Sequence, residues 1–277
     1  MTGIFLINKE KDKTSREIVN QIEKKFKVKA GHAGTLDPLA TGLLIVLVNR
    51  ATIINEIVTG YQKEYLASAR LGLKTDTGDI TGEVIDQSNK KITENGLKTV
   101  INNFPSKYIQ EVPIYSAVKV AGQRLYDYAR EKKEVKIPKR EVNIYHLELI
   151  SFNQNEFIIK TLVSKGTYIR SLIEDIAKNL NTCATMTGLI RTKQGNFDLE
   201  QAKDLEQITE SDLISIKEVL QEFPTVQIKK EKIKDGQLIE NLYQEEKVLL
   251  IDQNEALAIY QTYEKNKTKM KPWKMFI

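Results

Sequence analysis

The sequence predicts a globular protein that mixes helices with β-strands, and three observations carry that reading. Ile18, Val19, Ile22 and Phe26 recur at helical spacing within residues 15–27. Residues 61–73 alternate with the period of a strand: Tyr65, Ala67, Ala69 and Leu71 face one way, and Leu66, Ser68 and Arg70 the other. Residues 142–150 and 156–164 are extended runs separated by the polar Asn153-Gln154-Asn155, which reads as a hairpin. The 277 residues suffice to bury a sizeable core, in one large domain or one large plus one small. Hydrophobic content of 41% and charged content of 29% are ordinary for a folded domain.

Taken in order, residues 4–8 form a short strand with Lys9 at its exit, where the side chain can reach a neighbouring loop. Thr14 and Glu17 make a capping box that starts the first helix. Residues 51–58 predict a helix ending at Gly60. Residues 93–104 predict another, with Leu97, Val100, Ile101 and Phe104 inward. A helix opened by Ser164-Lys165-Gly166-Thr167-Tyr168-Ile169-Arg170-Ser171-Leu172 continues its apolar face through Ile173, Ile176 and Leu180. Pro224 marks the start of a small β-rich unit: Lys234-Asp235-Gly236-Gln237, then 248–251 and 256–261 around a polar turn at 252–255. There is no internal repeat.

Composition removes several classes of chemistry. No apolar run approaches the roughly 18–20 residues that span a bilayer, and the N-terminus lacks a secretion signal, so a cytoplasmic protein is expected. The single cysteine, Cys183, cannot form an internal disulfide and reads as a small buried filler; two histidines supply no zinc set. His146, in the first strand of the hairpin, reads as structural. Asp76 and Asp79 suggest a metal loop, but the residues beyond them break the calcium-loop pattern. Phosphate-cradling glycine signatures are absent. The expectation is chemistry on side chains alone, with no cofactor and no metal. Net charge is only +5, but it is unevenly spread. From Lys119 to Arg140 there are eight Lys/Arg against three Asp/Glu, and from Lys265 onward five lysines and no acid. Both stretches suit phosphate contacts.

The densest signal is Gly31-His32-Ala33-Gly34-Thr35-Leu36-Asp37-Pro38-Leu39-Ala40-Thr41-Gly42, a loop running into the apolar Leu43-Leu44-Ile45-Val46-Leu47-Val48. Its three glycines let the backbone approach a ligand, and Pro38 restricts Asp37 to extended geometry. The string G-H-A-G-T-L-D-P-x-A-x-G-x-L resembles the catalytic loop of the bacterial TruB family of transfer RNA pseudouridine synthases. Four further segments match in order. Lys63-x-Tyr65-x-Ala67 with Leu71-Gly72-x-x-Thr75-Asp76-Thr77-x-Asp79-x-x-Gly82 resembles the second family motif. Pro113-Ile114-Tyr115-Ser116-Ala117-Val118-Lys119 through Arg124-Leu125-Tyr126 and Ala129-Arg130 resembles the third, with Val112 where a proline is usual. Ser164–Arg170 resembles S-x-G-T-Y-I-R, and residues 187–197 match L-x-R-T-x-x-G-x-F. The final residues, through Trp273, resemble more loosely the end of a PUA-like module.

The resemblance implies an α+β fold: a mixed, mainly antiparallel sheet flanked by helices, with a small β-rich PUA-like C-terminal module. It implies a catalytic unit over 1–223, with an RNA-clasping segment at about 105–140, and a module over 224–277. The implied activity is isomerisation of the T-loop uridine at position 55 of tRNA, by glycosidic cleavage, base rotation and rejoining through carbon. Asp37 would be the essential carboxylate, Arg170 its ion-pair partner, and Tyr65 the ring stacked on the extruded base. Leu189 would lie under that base, His32 would fill the vacancy in the RNA, and Lys9 would buttress the loop, although Glu10 replaces the usual proline. Lys119, Arg124 and Tyr126 would grip the stem-loop. A monomer with tRNA as its partner is expected. Two rivals compete on residues alone: a non-catalytic RNA binder, and a hydrolase using Asp37 with His32.

Overall fold

A computed structural model describes residues 1–233, 237–242 and 244–277. Strand β1 (Gly3–Lys9) leads into helix α1 (Ser15–Phe26), the short β2 (Ala30–His32) and β3 (Thr41–Val48). Thr14 caps α1 with the expected box, and Lys27 closes it in the left-handed conformation. Strands β1 and β3 pair antiparallel over their full length, and their near-continuous apolar runs follow from burial on both faces. Phe5, Ile7, Leu44 and Val46 enter a core roofed by helices. Ile4, Leu6, Leu43 and Ile45 enter a second core on the opposite side.

A six-residue 3₁₀ stretch, Asn49–Ile54, precedes α2 (Asn55–Gly60), so the predicted helix at 51–58 is α-helical only in its second half. Then come β4 (Lys63–Leu71), the two-stranded β5 (Leu73–Thr75) and β6 (Val84–Gln87), α3 (Glu94–Asn102) and β7 (Lys107–Glu111). The segment at about 105–140, expected from the sequence to act as a clasp, holds a small ribbon, β8 (Lys119–Val120) and β9 (Gln123–Arg124), and α4 (Leu125–Arg130). The hairpin is β10 (Lys139–Asn153) with β11 (Glu156–Val163), followed by α5 (Ile169–Asn179), β12 (Ala184–Gln194) and β13 (Phe197–Asp198). The main sheet runs β1-β3-β12-β4-β11-β10-β7, with β12 parallel to β3 and every other neighbouring pair antiparallel.

The last strands are β14 (Thr225–Gln227), β15 (Ile239–Glu240), β16 (Lys247–Asp252), β17 (Glu255–Tyr263) and β18 (Asn266–Met275), forming a separate five-stranded sheet. Lys234, Asp235 and Gly236 of the predicted β-rich stretch lie outside the described residues. This sheet has a small core of its own, but Leu249, Ile251, Ile259 and Phe276 share the second core with Ile4, Leu43 and Ile45. The C-terminal unit therefore covers one face of the main sheet. Cys183 is half-buried rather than fully packed, and His146 is exposed on β10, 3.2 Å from Glu148.

Candidate active site

The loop 33–40 leads into β3, which pairs with β12, and β12 pairs in turn with β4; the loop before α5 faces them. Between them lies a cavity of about 460 Å³, within the size range of ligand sites. Asp37 and Arg170 meet on its wall, Arg170 Nη2 lying 2.9 Å from Asp37 Oδ2. The pair is asymmetric: the Arg170 side chain is 7% exposed and that of Asp37 43%. Arg170 also donates to the carbonyls of Thr77 and Tyr115, at 2.9 and 3.1 Å, so its guanidinium is fixed from three sides. Asp37 Oδ1 stays available to a ligand.

Tyr65 lines the same cavity, as do Leu189 and His32. The register explains why. Tyr65 of β4 stands opposite Arg191 of β12, and Ala67 opposite Leu189, so these side chains share a face. Ala67 and Ala69 keep the surface beside Tyr65 low. His32 Nδ1 is buried without a hydrogen-bond partner, and burial, with Arg191 and Arg16 nearby, holds the imidazole below its usual range.

Lys9 does not line the cavity but stands behind its loop. Its Nζ donates to the carbonyls of Lys13 at 2.6 Å, Glu10 at 2.8 Å and Pro38 at 3.4 Å. Burial lowers its pKa to about 8 against the opposing pull of Asp12, Asp37 and Glu17. Through these three carbonyls Lys9 ties Glu10 and Lys13 to Pro38 of the loop. Lys119, Arg124 and Tyr126 lie outside the cavity on the clasp. Lys119 and Arg124 are exposed, and the guanidiniums of Arg124 and Arg130 sit 5.6 and 5.4 Å from the Tyr126 ring centroid. The clasp reaches the cavity through Ser116 and Ala117, and the Tyr115 hydroxyl donates to Asp76. That bond gives Asp76 a structural task. Asp79 likewise accepts from the backbone and hydroxyl of Thr81, and no metal-ligand cluster exists among the described residues.

Three further residues border the cavity, Lys63, Lys165 and Arg191, which stand inside the sequence motifs without an assigned role. Arg191 is wholly buried, donating from Nε to the Leu43 carbonyl at 2.6 Å and from Nη2 to the Gly34 carbonyl at 3.1 Å. Lys63 donates to the carbonyls of Thr59 and Tyr61. The signal was available, since both residues stand two positions from a singled-out residue, Tyr65 or Leu189, on strands where two positions return to the same face.

A family model described as TruB family pseudouridylate synthase (N terminal domain) matches residues 19–169, more than half the chain. The chain belongs to the TruB family. It is a pseudouridine synthase, an isomerase. Among its relatives, the tRNA pseudouridine synthase B of Caldicellulosiruptor saccharolyticus is 42% identical over 79% of this chain and 77% of the relative. That of Mycoplasma mycoides is 40% identical over 98% and 96%. Solved structures share the TruB-family fold seen here. A chain from an H/ACA RNP bound to a substrate RNA containing 2'-deoxyuridine superposes with a TM-score of 0.69 at 23% identity, covering 99% of this chain and 85% of that one. A chain of a Cbf5-Nop10-Gar1 complex gives 0.70 at 24%, with the same coverage. No helix among the described residues is long and apolar enough to cross a membrane.

Proposed function

We propose that this pseudouridine synthase acts on tRNA, converting the T-loop uridine at position 55, with Asp37 as the essential catalytic group. The observation that carries the reading is the ion pair itself: a half-exposed carboxylate, anchored by a buried guanidinium, on the wall of a ligand-sized cavity beside Tyr65. A carboxylate so held keeps its orientation while leaving one oxygen free for the nucleotide. The names of the relatives support tRNA as the substrate.

In this reading the uridine leaves its stack, at a cost of a few kcal/mol, and an aromatic platform returns about 1–3 kcal/mol per base. Tyr65 supplies the platform, Leu189 closes the opposite side of the ring, and His32 takes the place of the base in the RNA. Asp37 acts on the nucleoside, Arg170 holds its carboxylate, and Lys9 holds the loop through Pro38. Lys119, Arg124 and Tyr126 grip the stem-loop by phosphate and ring contacts. The catalytic unit spans 1–223 and the PUA-like module 224–277. A monomer is the simplest form for this reading, and tRNA as substrate supports a cytoplasmic setting.

A hydrolase pairing Asp37 with His32 is disfavoured because the partner that Asp37 holds is Arg170, and the charges acting on His32 are cations. Tritium release from tRNA carrying 5-³H-uridine tests the reading. The wild-type chain should release label without cleaving the RNA. Retention of all label, or appearance of cleavage products, would sink it.

A further inference from the structure

Asp37 answers Arg170 on the cavity wall, but three further cations border the same cavity with no ion pair to an acid among the described residues. Lys63 and Tyr65 share a face of β4, and Arg191 stands opposite Tyr65 on β12, so Lys63, Arg191 and Tyr65 form one contiguous strip. Lys165 approaches from the loop that precedes α5, and all four residues border the cavity. The charged groups bearing on Lys63 are Arg191 and Lys165, both cations, and the titratable group bearing on Arg191 is the Tyr65 phenol. Taking cations out of water beside other cations is strongly unfavourable unless something negative joins them.

The local chemistry leaves room for that anion. The Lys63 ammonium spends two donors on the carbonyls of Thr59 and Tyr61, at 2.9 and 2.8 Å, and keeps a third. Arg191 Nη1 has no partner within hydrogen-bond distance. The loop backbone above them is glycine: a Cβ on Gly34 would lie 3.3 Å from Lys63 Cε and 3.4 Å from Arg191 Nη1, and its φ of +96° disfavours any side chain. Lys165 is exposed and free to close over an incoming group. Gly166, next to it, packs against Arg140, which adds a further cation at the rim.

We propose that Lys63, Lys165 and Arg191 form a phosphate subsite, which holds a backbone phosphate flanking the extruded uridine while Asp37 and Tyr65 engage the nucleoside. The inference rests on the RNA-uridine reading above. The two ammonium groups contact the phosphate, and the buried guanidinium acts on it through the low-dielectric wall. A nucleotide that reaches Asp37 carries a phosphate on each side, and the strip of cations gives one of them a fixed place. The base is thereby presented in a single orientation before chemistry begins.

The test uses synthetic T stem-loop hairpins in which one of the two linkages flanking the target uridine is an uncharged methylphosphonate, bound to the full-length chain. At one linkage, neutralisation should weaken binding by about tenfold, the worth of a charge-assisted contact. Lys165→Ala should weaken binding of the unmodified hairpin by a similar factor and lower its salt dependence by about one phosphate. Combining the variant with that methylphosphonate should cost nothing more. Lys63→Met should show the same lack of additivity, whereas Lys119→Ala, outside the cavity, should add its loss in full. Unchanged affinity with both neutralised linkages, or losses that multiply in Lys165→Ala, would overturn the subsite. In that case tritium release from the unmodified hairpin would leave the uridine reading standing; failure of that release would overturn both.

Discussion

Lys9 and Lys63 are both buried and both held near a pKa of 8, yet their surroundings are opposite. Lys9 faces Asp12, Asp37 and Glu17 against a single cation, Arg191, and donates to three carbonyls, so its charge is answered within the protein. Lys63 faces Arg191 and Lys165, and its charge is unanswered. The difference separates a cation that holds the fold from one that awaits a ligand. The lowered pKa alone would not distinguish them, since desolvation is the largest cause in both.

The strongest way to test the contrast starts at the acid that Lys9 supports. Asp37→Ala should reduce tritium release to background while the variant still binds tRNA; normal turnover would end the assignment of Asp37. Next comes stability. Lys9→Met strands three carbonyls and nearby carboxylates and should cost about 3–5 kcal/mol, by analogy with a broken buried pair. Lys63→Met strands two carbonyls but relieves repulsion, and should cost about 1–3 kcal/mol or less. Urea denaturation of the two variants checks the order, and a larger loss for Lys63→Met would erase the distinction.

A smaller effect follows from pH. Both lysines titrate near 8 in the folded chain and near 10.5 in the unfolded one, so between these values the unfolded chain binds more protons. Their contribution to stability is therefore lowest below about pH 8 and rises as pH climbs. Melting temperature should increase from pH 8 to 10, before Tyr61 and Tyr108, whose phenols are raised by burial, oppose it. Phosphate affinity should fall over the same interval as Lys63 loses its proton. Affinity and stability moving together would contradict that assignment.

Tyr65→Phe sharpens the nucleoside side of the cavity. Phenylalanine keeps the ring and removes the hydroxyl that lies beside Arg191. A large fall in rate with little change in binding would assign proton transfer to Tyr65, and equal activity would confine it to packing. The mildest change expected is at the clasp. Arg124→Ala should weaken tRNA binding only several-fold and lower the salt dependence by about one phosphate, because its guanidinium is exposed and screened.

Local pattern fixed much of this molecule. The capping box at Thr14 and Glu17, the alternation around Tyr65 and the polar turn at Asn153-Gln154-Asn155 each use contacts within a few residues, which a sequence displays directly. The loop around Asp37 was legible because glycine and proline dictate backbone shape without help from elsewhere. What remained hidden depended on distant partners. That Leu43–Val48 is apolar on both faces is visible, but that one face is covered by β16, β17 and Phe276 emerges only when the C-terminal sheet docks. A register shift between Arg191 and Lys193 lets Arg191 and Gln194, three residues apart, both turn inward, where regular alternation would have sent one of them out. The meeting of Asp37 with Arg170, 133 positions later in the chain, and the convergence of Lys63, Lys165 and Arg191 are likewise products of packing. Charge identity is written in the sequence, but desolvation and the sign of a charge's neighbours exist only once the chain has folded.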